Sequence, residues 1–279
     1  MEHNMFYGQD YKVLPITSIK DGKILEISDD LFCYTNHIVN IVFIGGREEE
    51  EFVLIDSGLP KSSKEIIKTA QFIYGEQSKP KAIILTHGHF EHVGSIIELI
   101  EYWDVPVFAH EKEIPYLTGE KAYEEPDSTV EGGLVAKLAG FFPNEPIHLS
   151  THVHVLEEGT VPFLSEFQWL HTPGHSPGHI SLFRKRDGAL IVGDSFITVR
   201  QDSLFKTFVQ KEEMSGPPRY FTTDWPLAYE SVKKLQRLNP KLAITGHGVP
   251  IKGDKLKQGL DELIEHFNEI AIPDYGKYV

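Results

Sequence analysis

The chain has 279 residues, 41 of them acidic against 27 basic, for a formal net charge of −14. Such a charge argues against a nucleic-acid or anionic-membrane partner, whose phosphates it would repel, and a single cysteine, Cys33, excludes an internal disulfide framework. No apolar run approaches the roughly 18 residues that span a bilayer, and the opening MEHNMFYGQDYKVLP lacks the apolar core of a signal peptide, so the expectation is a soluble, cytoplasmic protein.

Residues 11 to 57 read as strands. Tyr11–Ile19, Ile24–Ile27, Phe32–Thr35, His37–Ile44 and Phe52–Ile55 are rich in β-branched and aromatic residues and are punctuated by Asp21-Gly22, Asp29-Asp30 and Gly45-Gly46. Their close spacing predicts an antiparallel meander. The last strand ends in Asp56-Ser57-Gly58, where the acidic residue either faces a site from a sheet edge or makes an Asx turn before the helix Ser62–Tyr74.

The run Lys81–Gly94, KAIILTHGHFEHVG, carries the chemistry. Ala82–Leu85 is a short apolar strand, and His87, His89, Glu91 and His92 follow it within six residues. Apolar residues at helical spacing (Val93, Ile96, Ile97, Ile100) predict a helix to Trp103. Burying so many polar groups costs a few kcal/mol each unless something pairs with them, so packing alone does not account for this density. A strand end, a tight loop and a helix start would hold such groups rigidly enough for a metal.

A short strand, Val105–Ala109, comes next and ends in His110. The stretch 111–146 is a helical insertion with apolar residues and Gly or Pro breaks, which suits a lid or a surface excursion equally. His148, His152 and His154 read as strand histidines rather than ligands.

From Phe167 one device recurs. A strand finishes, a glycine lets the backbone turn, and one potential ligand stands at the tip: His175 after Pro173-Gly174, Asp194 after Gly193, and His247 after Gly246. His171 and His179 read as supports for the first of these turns. Residues 195–224 read as a loop, followed by a helix capped by Thr223-Asp224 and a final helix over Asp254–Ala271.

Five histidines and two carboxylates are too many for one tetrahedral metal and about right for two. Imidazole suits zinc, iron or manganese, a carboxylate can bridge, and the lack of thiolates argues against a finger-type structural zinc. The order D-x-G, H-x-H-x-[D/E]-H, P-G-H-S-P-G-H, G-D and G-H-G over about residues 30 to 270 resembles the metallo-β-lactamase superfamily.

That resemblance implies a single α/β domain over 1–279, a four-layer αβ/βα sandwich of two mixed β-sheets flanked by helices, with the lid-like insertion at 111–146. It implies His87, His89 and His175 on one metal, Glu91, His92 and His247 on the other, Asp194 bridging and Asp56 orienting the ligand loop. Glu91 and Asp194 become the catalytic carboxylates. The cofactor is two divalent ions, zinc first and iron or manganese as alternatives.

Hydroxide generated between two such ions would attack an ester, lactone or thioester of a small molecule, and no serine nucleophile is needed. Ser176 in G-H-S-P-G lies between two strands, not at a strand-to-helix elbow. Glu91 stands where the family has aspartate, and its extra methylene is expected to weaken the second site. Phe141, Phe142, Phe208, Tyr220 and Phe221 are candidates for an apolar substrate entrance.

Three other readings stay open: a mono-iron persulfide dioxygenase of this fold, a glyoxalase II-like thioester hydrolase, and a non-catalytic metal-stabilised scaffold.

Overall fold

The structure, a computed structural model, describes residues 5–11, 17–47 and 49–279. The chain divides into two compact units, one drawn from Met1–Tyr123, Pro143–Glu157 and Pro162–Leu164, the other from Glu124–Phe142, Glu158–Val161 and Ser165–Val279.

In the first unit, β1 (Ile24–Ser28), β2 (Leu31–Asn36), β3 (Val39–Ile44) and β4 (Glu51–Ile55) form the expected antiparallel meander. Helix α1 (Ser63–Tyr74) then carries the chain to β5 (Lys79–Ile84), which pairs parallel to β4. Parallel neighbours need a crossover of about a dozen residues. The same logic places α2 (Phe90–Val93) and α3 (Ile96–Trp103) before β6 (Val107–Ala109), and α4 (Ile114–Leu117) before β7 (Val153–Val155), both strands parallel to their neighbour. Among the described residues the result is a seven-stranded mixed sheet in sequential order.

Strand alternation sorts its side chains. Phe32, Tyr34, Ile41, Phe43, Phe52, Leu54, Ile83 and Leu85 join one core with Ile66, Ala70 and Tyr74 of α1 and Ile96, Leu99, Ile100 and Trp103 of α3. Phe52 is its centre, stacked on Tyr74 at 4.6 Å and edge-on to Trp103 at 6.0 Å. The intervening residues Cys33, Val42, Val53, Ile55, Ala82 and Ile84 are buried as well, so this sheet is apolar on both faces. Burial pushes the Cys33 thiol up to about 12.

The second unit contains α5 (Leu134–Leu138), β8 (Phe167–His171), β9 (Ile180–Arg184), β10 (Ala189–Gly193), α6 (Leu204–Val209), α7 (Trp225–Arg237), β11 (Leu242–Thr245), β12 (Ile251–Lys252), α8 (Gly253–Glu265) and α9 (Phe267–Ile270). Its five strands run in the order β12-β11-β10-β9-β8. Only β10 and β11 are parallel, and α7 makes the connection between them. Leu190, Val192, Ala243 and Ile251 pack with Trp225, Val232 and Leu235 of α7 and Leu256, Leu260 and Leu263 of α8. The two mixed sheets with helices match the class read from the sequence.

Several local expectations change. Residues 12–16 of the expected strand Tyr11–Ile19 lie outside the described residues, and Tyr11 and residues 17–19 are not in a strand. The helix expected over Val93–Trp103 is broken at Gly94-Ser95, because tertiary partners claim that turn. Gly94 N–H donates to Gly58 O at 2.8 Å, and the Ser95 hydroxyl donates to Leu59 O at 2.7 Å while accepting from Ser62 N–H at 2.8 Å. A Cβ at Gly94 would overlap Pro60, so glycine is required by close approach.

The final helix likewise breaks at His266 into α8 and α9. The expected loop 195–224 contains α6, whose first turn is capped by the Ser203 hydroxyl. His152 lies in a 3₁₀ turn rather than in the strand with His154. Among the described residues no helix is long and apolar enough to cross a membrane.

Removing the central aromatic of the first core, Phe52→Ala, is expected to destabilise the protein by about 3–5 kcal/mol in equilibrium denaturation. A loss under about 1 kcal/mol would show that this ring does not organise the core.

Candidate metal centre

Each unit gathers its own cluster of buried ligand-type side chains. In the first, the apolar strand β5 runs on through Leu85 and Thr86 to His87, and the loop passes His89 before α2 presents Glu91 and His92. All four side chains are buried. The ring centroids of His87 and His89 lie 4.7 Å apart, and those of His87 and His92 4.2 Å.

Asp56 holds this loop. It stands just past β4 with a φ of 62°, in the left-handed region that aspartate tolerates better than most residues. Oδ1 accepts the Thr86 amide at 2.7 Å, while Oδ2 accepts the Thr86 hydroxyl at 2.8 Å and meets His92 Nδ1 at 2.8 Å. With Nδ1 so engaged, His92 offers Nε2 to a metal. The Thr86 hydroxyl also lies 3.1 Å from His87 Nδ1, which orients that ring the same way. Next door, burial and the Asp10 and Glu91 carboxylates push the Tyr11 phenol well above its ordinary value.

The second unit brings together His175, Asp194 and His247, again all buried. Asp194 Oδ2 lies 3.5 Å from His175 Nε2 and 3.3 Å from His247 Nε2. Ligand atoms about 2.0–2.2 Å from a tetrahedral metal stand about 3.4 Å from one another, so this carboxylate oxygen suits a metal shared with either imidazole. The residues present fit a metal.

Each tip is fixed from behind. Gly174, with a φ of 129°, turns the chain into His175, and a Cβ there would overlap the Ala228 backbone of α7. His175 Nδ1 lies 3.2 Å from the Thr222 hydroxyl. Asp194 N–H donates to His179 Nε2 at 2.8 Å, and His179 Nδ1 lies 2.9 Å from the Thr172 hydroxyl. His171 Nε2 meets Pro177 O at 2.8 Å within the same turn, as expected of a support. His247 is oriented by Gln201, whose Nε2 lies 2.9 Å from its Nδ1, and its carbonyl accepts the Thr245 hydroxyl at 2.7 Å.

The candidate aromatic residues separate. Phe142, Tyr220 and Phe221 are buried together, and the Phe221 ring lies 6.4 Å from that of His175. Phe141 and Phe208 are exposed. His148 stacks on Phe6 at 5.0 Å and His154 is exposed in β7, so neither joins a cluster. The residues that sequence reading missed are the orienting ones, Thr86, Gln201 and Thr222. Single hydroxyls and amides give no signal until the fold has placed them beside a ring.

The family model of the metallo-β-lactamase superfamily matches residues 34–247. The chain is 45% identical over 259 residues to "Probable metallo-hydrolase YflN" of Bacillus subtilis, covering 92% of this chain and 98% of that one. Its fold is similar to that of ST1585, an archaeal metallo-β-lactamase superfamily protein from Sulfolobus tokodaii (TM-score 0.55, 18% identity, 91% of this chain and 84% of that one). It is similar too to a B3 metallo-β-lactamase with an active site glutamic acid (TM-score 0.57, 14% identity, 93% and 91% covered). A family match that runs from β2 to His247, together with near full-length identity to YflN, means that the chain belongs to the metallo-β-lactamase superfamily and is, by homology, a metallo-hydrolase.

Proposed function

We propose that the protein hydrolyses an ester, lactone or thioester of a small molecule with two divalent cations, zinc in the first instance and iron or manganese as alternatives. The observation that carries this reading is Asp194 Oδ2, held between the Nε2 atoms of His175 and His247 at 3.5 and 3.3 Å. A carboxylate oxygen so placed suits a bridging ligand. The ligands of this reading are His87, His89, Glu91 and His92 from the first unit and His175, Asp194 and His247 from the second.

Bound there, the cations would supply Lewis-acid activation of water at neutral pH. The chain's own residues then hold and orient. Asp56 fixes His92 and the Thr86 backbone, and His179 fixes the Asp194 amide. Glu91, in the first turn of α2, reaches one methylene further than an aspartate would. The relative with an active site glutamic acid gives a precedent for a glutamate in a site of this fold. The buried Phe142, Tyr220 and Phe221 beside His175, with exposed Phe141 and Phe208 on the same unit, favour an apolar acyl portion in the substrate.

Metal analysis of protein purified without chelator is expected to give two ions per chain, and one tightly held ion would overturn the dinuclear reading. Asp194→Ala is expected to lose at least one ion and about a hundredfold or more in rate. Wild-type turnover in that variant would remove Asp194 from the reacting centre, whereas two bound ions with no turnover of any substrate would favour the scaffold reading. Glu91→Asp is expected to tighten the weaker ion, and unchanged metal content and rate would remove any role for the longer side chain. A panel of lactones, thioesters, phosphodiesters and β-lactams under defined metal loading tests the substrate class. A single iron with oxygen uptake on glutathione persulfide would replace hydrolysis by persulfide oxidation.

A further inference from the structure

Gly88 sits between the first two histidines of the ligand loop, and its amide has partners outside the motif. It donates to Glu113 Oε2 at 2.9 Å and to the Tyr123 hydroxyl oxygen at 3.0 Å. The Tyr123 hydroxyl in turn donates to the same Glu113 oxygen. Glu113 is completely buried. Moving a carboxylate out of water costs several kcal/mol unless hydrogen bonds compensate, and a position needed only for packing beside Leu117 and Tyr116 would be filled more cheaply by an apolar side chain.

Tyr123 is held in turn. Its ring stacks on Tyr116 with centroids 4.0 Å apart and planes at 3°, and meets the His89 ring at 4.6 Å and 60°. The space around Gly88 is closed: a Cβ there would come within 3.2 Å of Leu117 Cδ2 and 3.4 Å of Glu113 Oε2. Both residues come from 111–123, the stretch just after β6, and neither touches the loop through the H-x-H-x-E-H side chains alone.

We infer that Glu113 and Tyr123 are positioning residues for the ligand loop: they fix the Gly88 backbone and the plane of the His89 ring, so that metal affinity at His87 and His89 depends on segment 111–123. The inference rests on the reading that these histidines hold a metal. Linkage makes the effect reciprocal, and metal binding orders the segment as much as the segment favours metal.

The test uses the full chain with Glu113→Ala, Glu113→Gln and Tyr123→Phe, followed by two measurements. The first is affinity for Zn²⁺ and Co²⁺ by chelator competition, and the second is amide hydrogen exchange of the peptides covering Gly88 and 111–123 in metal-free protein. Glu113→Ala is expected to weaken the ion at the ligand loop about 10–100-fold and to speed exchange at Gly88. Glu113→Gln keeps an acceptor oxygen and is expected to recover affinity to within about threefold, with Tyr123→Phe falling between the two. Faster exchange with unchanged affinity in Glu113→Ala would reduce the pair to ordinary packing and overturn the inference. Unchanged exchange would overturn the clamp itself. A parent protein that takes up neither ion would sink the metal-centre reading separately, and with it the claim on affinity.

Discussion

One carboxylate organises the first cluster. Asp56 accepts two hydrogen bonds from Thr86 and contacts His92, so a single side chain ties the end of β4 to both ends of the ligand loop. Hydrogen bonds to a charged group contribute about 1.5–3 kcal/mol each, enough to hold the left-handed backbone that Asp56 adopts. Around it the main chain closes too: Ser57 N–H donates to His92 O at 2.7 Å and Asp56 N–H to Ile84 O at 2.9 Å. The contact of Asp56 with Nδ1 leaves Nε2 as the nitrogen that His92 presents.

The second cluster obeys the same rule with different parts. There the strand ends are joined by Gly246 N–H donating to Gly193 O at 2.7 Å, and the ligand tips are steadied by groups behind them, His179 for Asp194 and Gln201 for His247. In both units the rigid sheet supplies position and a neutral or charged partner supplies orientation. That division of labour is what metal ligands require, since a loose imidazole loses affinity even at the right distance.

The candidate ligands stand out in the sequence because their chemistry is local. Three histidines and a glutamate crowd directly behind an apolar strand, and His175, Asp194 and His247 each follow a glycine at a strand end. The meander was legible from its turns. What was hidden depends on partners far along the chain. The Gly94-Ser95 break arises from contacts with Gly58, Leu59 and Ser62, and no periodicity in Val93–Trp103 announces it. Thr86, Gln201 and Thr222 are ordinary residues whose role appears only once a ring stands beside them. Aromatic content likewise suggested five entrance residues, but composition could not separate buried Phe142, Tyr220 and Phe221 from exposed Phe141 and Phe208.

The reach of the Asp56 contacts also has a meaning in time. They join residues 30 and 36 positions apart, and the Gln201–His247 contact joins residues 46 apart. Closing loops of that size costs entropy before any contact repays it, and parallel pairing such as that of β4 with β5 forms slowly. A chain emerging during synthesis therefore carries its HGHFEH segment before Thr86 and His92 have met Asp56. The arrangement of those rings is thus a product of the completed fold, and the short motif by itself has no set geometry.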